Sequence, residues 1–163
     1  MMSQNDVRVS WKPGVLIGLG AAAASTLTFL VIAALSGRGL HLLTDAGMGG
    51  FPTLLRAITG MSPALSYLIG HTAMYLLAGV GGLALARLVD RVPAFITGLV
   101  LLGIVIEMGF LVFTTEGGAM GRFDESTWRA LLIAHAVGDL TFVLGLVRML
   151  PGLRHLLVHG YDD

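Results

Sequence analysis

The chain predicts an all-α integral membrane protein, with four transmembrane helices in an antiparallel bundle and a short interfacial helix between the first and second. Three observations predict it. Apolar stretches fall at 14–35, 64–86, 93–114 and 128–149, each about 22 residues, the length a helix needs to cross the hydrocarbon of a bilayer. Of the 163 residues 55% are apolar and only 12% charged, about half the charge of an average soluble domain. The connection between the second and third stretches is tight, and short connections make antiparallel neighbours.

Residues 1–13 form a polar tail in which Trp11 and Lys12 occupy the place of an interfacial anchor. Arg8 and Lys12 ahead of an apolar run, with alanines at 22–24, imitate a signal peptide. The run is longer than the 7–15 residues of a signal core, so a retained first span is expected. The first connection, 36–63, is the longest. Within it Phe51, Leu54, Leu55 and Ile58 recur at helical spacing and Pro52 suits a first turn, which predicts the interfacial helix over about 51–60. Gly47, Gly49, Gly50 and Gly60 around it are expected to be flexible breaks.

The second connection is tight, with Arg87, Asp90 and Arg91 ahead of Pro93, so spans two and three should form a hairpin. The third, 115–127, carries Glu116, Arg122, Asp124 and Glu125 and is aqueous. Span four opens with Trp128 and stops at Pro151, before a polar tail containing His155 and His159. No repeat or second domain is apparent, and 1–163 reads as a single four-span membrane domain. Small residues line two faces, Gly14, Gly18 and Ala22 on span one and Ala78, Gly82 and Ala86 on span two, a spacing that lets helix backbones approach.

Charge sets orientation and excludes some partners. The side holding both tails carries Arg8, Lys12, Arg87, Arg91, Arg148 and Arg154, against Arg38, Arg56, Arg122 and Arg129 on the other. The excess places both termini in the cytoplasm, with the chain in a bacterial inner membrane. Net charge is zero, which gives no basic face for nucleic acid. The absence of cysteine removes disulfides, thiolate metal sites and thiol nucleophiles.

Depth, counted from one membrane face, singles out a polar layer. His71 lies seven residues after the start of span two, Glu107 seven before the end of span three, and His135 seven after the start of span four. All three fall about 10 Å below one surface, at about 1.5 Å per residue. Thr28 shares that level, Asp139 is a turn deeper on the face of His135, placed to hold that imidazole in one tautomer, and Tyr75 is a turn from His71. Ionisable groups in a membrane interior are costly and need pairing, neutralisation or water. Four chemistries fit. His71, Glu107 and His135 supply a two-histidine, one-carboxylate set for zinc or non-haem iron. His71 and His135 could hold a haem between helices. The ionisable groups could exchange protons, alone or with a quinone. Or the layer could be an interhelical hydrogen-bond network that fixes register and docks another subunit. His41, His155 and His159 lie in aqueous segments, and the methionines are dispersed as packing residues.

The segment Gly152-Leu153-Arg154-His155-Leu156 resembles part of a motif in the membrane-anchor subunit of succinate dehydrogenase. That motif also has a histidine four residues before the glycine and an aspartate soon after, where this chain has Arg148 and His159. The motif precedes a further span there and a tail here, and the resemblance stops at these five residues.

The function expected from these features is a non-enzymatic, small accessory or structural subunit of a larger bacterial membrane assembly, respiratory or photosynthetic in kind. Its partners are the lipid bilayer and other membrane subunits. The alternative is a membrane protein that binds a divalent metal or haem, or handles protons or quinone, through His71, Glu107 and His135. No cofactor is singled out.

Overall fold

The computed structural model describes residues 11–48, 50–88, 98, 103 and 125–149, and contains no strand among them. Among the described residues five helices have defined bounds: α1 (Lys12–Leu35), α2 (Leu40–Ala46), α3 (Gly50–Thr59), α4 (Pro63–Leu88) and α5 (Glu125–Met149). Three of them, α1, α4 and α5, are long and apolar enough to cross a membrane. They match the first, second and fourth expected spans. Of the third expected span only Gly98 and Gly103 are described, both helical. Glu107, residues 1–10, most of the second connection with its expected hairpin, most of the third connection and the C-terminal tail with His155 and His159 lie outside the described residues.

The helices start earlier than their apolar runs because polar residues suit a first turn. Pro13 sits at the start of α1, where its missing N–H costs nothing. Glu125 opens α5, where a negative charge faces the positive end of the helix dipole, and it pairs with Arg129 one turn on. The three long helices are apolar around their whole circumference, as lipid-embedded helices are. Large apolar side chains such as Leu27, Val31, Leu77, Leu132 and Leu140 point outward. On a soluble domain so many would form a sticky surface; in a bilayer they meet lipid tails.

Helix α1 lies between α4 and α5 and packs against both. It runs antiparallel to each: Gly14 and Gly18 meet Gly79 and Tyr75 of α4, and Ile17 and Ser25 meet Gly145 and Gly138 of α5. Consequently α4 and α5 are parallel, and the end of α4 and the start of α5 lie at opposite ends of the bundle. The first of these contacts depends on glycine. A Cβ on Gly14 would sit 2.7 Å from the Gly79 carbonyl oxygen, one on Gly18 would sit 2.5 Å from that of Tyr75, and one on Gly79 would overlap the Gly14 carbonyl. The face of α4 that meets α1 is thus centred on Gly79, while Gly82, of the Ala78/Gly82/Ala86 stripe, is also buried.

The connection from α1 to α4 holds two helices where one was expected. The helix expected over about 51–60 is present as α3, and α2 precedes it. Three residues of α2, Leu42, Leu43 and Ala46, are buried with Phe29 and Ala33 of α1, Tyr67 of α4 and Ala130, Leu131 and Ala134 of α5. Two turns are too short to show a period, so only packing reveals this helix. Gly47 is not a flexible break: a Cβ there would overlap the backbone of Pro63, so glycine is needed for close approach. Arg38 clasps this end of the bundle. One guanidinium nitrogen meets Asp45 Oδ2 at 2.6 Å, and the other donates to Ser126 Oγ and, at 3.2 Å, to Thr127 Oγ1 in the first turn of α5.

Candidate intramembrane site

Tyr67, His71 and Tyr75 recur every fourth residue of α4 and so form one stripe along it. The backbones of α4 and α5 approach each other much less than either approaches α1, and this stripe fills the space between them with flat rings. The His71 ring stacks on Tyr67 at 5.1 Å between centroids and 21° between planes, and meets Tyr75 edge-on at 5.0 Å. Across the gap it stacks on His135 of α5, at 5.2 Å and 15°. Phe29 of α1 extends the series, 5.4 Å from Tyr67. Both histidines are shielded by protein from any lipid, with 4% of His71 and 7% of His135 exposed.

Polar contacts run along the same seam. The Tyr75 hydroxyl lies 3.2 Å from Asp139 Oδ1 and 3.3 Å from the His135 carbonyl oxygen, so its single proton is donated to one of two acceptors. Gly138 makes the arrangement possible, since a Cβ there would overlap the phenol oxygen of Tyr75 and stand 2.9 Å from Cβ of Ser25. Asp139 itself is exposed at the outer edge of α5, so the chain of contacts leads from the interior to the perimeter of the bundle.

Three atoms in this region have no hydrogen-bond partner among the described residues: Ser25 Oγ, Tyr67 Oη and His71 Nε2. Buried polar groups are nearly always paired, and each exception calls for an explanation such as a water, an ion or a functional role.

Of the six residues read from the sequence as a polar layer, the structure brings four together: His71, Tyr75, His135 and Asp139. Thr28 stands apart, because its hydroxyl donates to the Ala24 carbonyl one turn back at 2.8 Å and is spent within α1. Glu107 lies outside the described residues. Asp139 meets the Tyr75 hydroxyl, a partner the sequence reading did not assign to it. Two members were missed. Tyr67 is four residues before His71, and the Tyr-His-Tyr spacing is a signal that would have found it. Ser25 follows Gly18 and Ala21 or Ala22 along the buried face of α1, so extending that small-residue stripe would have reached it.

The geometry also sorts the expected chemistries. Among the described residues no three potential metal ligands gather, so the metal set depends on Glu107. Histidines that share a haem point their nitrogens at the iron from opposite faces of the porphyrin. Here the two imidazoles stack face to face, 5.2 Å between centroids, an arrangement that does not by itself place a porphyrin between them. Comparison with known protein families, curated proteins and solved structures finds no match.

Proposed function

We propose that the chain is a small accessory subunit of a larger bacterial membrane assembly, respiratory or photosynthetic in kind, which acts by handling protons within the bilayer rather than by covalent catalysis. In this reading it crosses the membrane four times, with 93–114 as the third span and both termini in the cytoplasm. The direction of the chain supports a further crossing, because α4 ends at the opposite end of the bundle from the start of α5.

The observation that carries the proposal is the unpartnered Nε2 of His71, buried against His135 and next to the Tyr75–Asp139 pair. A network kept only to hold helices in register gains nothing from open members, since each buried unsatisfied group costs about 1–3 kcal/mol. A proton carrier needs the opposite arrangement. Its imidazole nitrogen must be free to accept or release a proton, and a carboxylate must lie between it and the outside. His71, Tyr75 and Asp139 lie in that order from interior to edge. Glu107, at the same depth by sequence, is the group that would join them from the third span.

The test is purification from the native membrane in mild detergent, with the His71→Phe variant alongside. Phenylalanine keeps a stacking ring and removes both nitrogens. The expected result is stoichiometric membrane partners with either chain, and loss of the assembly's proton-coupled activity with the variant. A chain that purifies alone, or an assembly whose activity is unchanged by His71→Phe, would sink the reading.

A further inference from the structure

A second feature lies outside the seam, at the connection between α1 and α4. Arg38 and Arg129 each have a carboxylate partner. Arg56, in the last turn of α3, has none among the described residues. Its Nη1 donates to the Met48 sulfur at 2.8 Å, and its Nε is buried without a partner. A thioether is a weak acceptor and carries no charge, so the guanidinium is half-buried with its charge unmatched. The C-terminal end of α3 offsets only part of that charge, about half a unit at most. Moreover, the Arg56 carbonyl is already capped by the Gly60 N–H at 2.8 Å.

Arg56 lines an open surface depression of about 290 Å³ together with Thr53, Ala57, Gly60 and Met61. These positions run along one side of α3. On the neighbouring side Leu54 and Ile58 are exposed, an amphipathic pattern that places such a helix at the boundary between headgroups and acyl chains. An arginine at that level faces lipid phosphates, and its planar fork of donors matches phosphate oxygens two at a time.

We propose that the Arg56 depression binds a phosphate group, presented by the headgroup of an anionic phospholipid whose tails lie along Leu54 and Ile58. The Arg56 guanidinium supplies the charge and the paired donors, and the Thr53 hydroxyl supplies a further donor on the same side of the helix.

The full chain is reconstituted in vesicles of phosphatidylcholine with a minority of phosphatidylglycerol, and retained lipid is read by native mass spectrometry after mild detergent extraction. The wild type should carry phosphatidylglycerol in preference to phosphatidylcholine. Arg56→Gln should reduce that preference about fivefold, the ratio matching one basic residue's contribution near an anionic surface. Arg56→Lys, which keeps the charge without the fork, should fall between. Arg38→Gln removes a guanidinium that already has a carboxylate, and should leave the preference intact. Circular dichroism confirms that each variant is folded. Equal retention by folded wild type and Arg56→Gln overturns the site. Thermal stabilisation by inorganic phosphate that depends on Arg56, with no lipid preference, assigns the depression to free phosphate and overturns the lipid assignment.

Discussion

Helix α4 meets its two long neighbours in opposite ways. Against α1 it offers no side chain at the point of crossing, and Gly14, Gly18 and Gly79 let the backbones touch. Towards α5 it offers its largest side chains, and Tyr67, His71 and Tyr75 hold the two helices apart while filling the space between. The first contact is made by shape and leaves no polar side chain unsatisfied at the crossing. The second is made by chemistry, and His71 and Tyr67 each keep an unpartnered atom in it. Lipid tails give apolar helices no hydrophobic reason to associate, so close packing has to do that work. The glycine crossing therefore holds the bundle, which leaves the ring-filled seam free to carry groups that cost stability.

The largest expected effect follows on the holding side. Gly79→Leu places a branched side chain where the Gly14 carbonyl and the Gly18 nitrogen already sit. Backbone atoms cannot step aside as a flexible side chain does. The cost should therefore reach about 3 kcal/mol, the upper end for overpacking. Equilibrium unfolding in mixed micelles, followed by circular dichroism, measures it. A loss of under about 1 kcal/mol would mean that α1 and α4 are not joined by this crossing.

The same contrast governs what could be read from the sequence. Each of the three long helices announces itself by length and hydropathy, because the bilayer fixes both. Which way each helix faces is another matter. All three are apolar all round, so no apolar face points to the neighbour, and nothing in α4 marked Gly79 as the residue that meets α1. Polar residues break that symmetry. His71, Tyr75, His135 and Asp139 were legible because an ionisable or hydroxyl group in a span has few places to go. The same argument reaches Tyr67, one turn from His71 on the side opposite Tyr75, whereas Ser25 is revealed only by its burial. Thr28 misled because its depth is right while its hydroxyl returns to its own helix. Helix α2 was hidden by its seven residues, too few for a period to emerge.

An intermediate effect is expected on the seam. Tyr75→Phe keeps the ring and its edge-on contact with His71, but removes the hydroxyl that reaches Asp139 and the His135 carbonyl. Interhelical hydrogen bonds in membranes average about 0.6 kcal/mol, and the loss should be of that order. It should also be smaller than the Gly79→Leu loss under identical conditions. If Tyr75→Phe proves the more damaging of the two, the division into a holding contact and a working contact is wrong.

The smallest effect has the opposite sign and tests the seam most sharply. Ser25 is fully buried, its Oγ has no hydrogen-bond partner among the described residues, and its Cβ faces Gly138. Removing a desolvated, unpaired hydroxyl takes away a penalty without taking away a bond. Ser25→Ala should then be neutral or stabilising by up to about 1 kcal/mol. The cavity it creates is a single oxygen in size, too small to reverse that gain by much. Stabilising substitutions carry a functional cost where activity depends on an unfavourable group kept in place. A stabilised Ser25→Ala variant with impaired activity would mark Ser25 as part of the working seam. A destabilised one would show that Oγ does have a partner, such as an ordered water bridging to the ring stack. The seam would then be a completed network, held for structure, and the case for an open imidazole beside it would weaken with it.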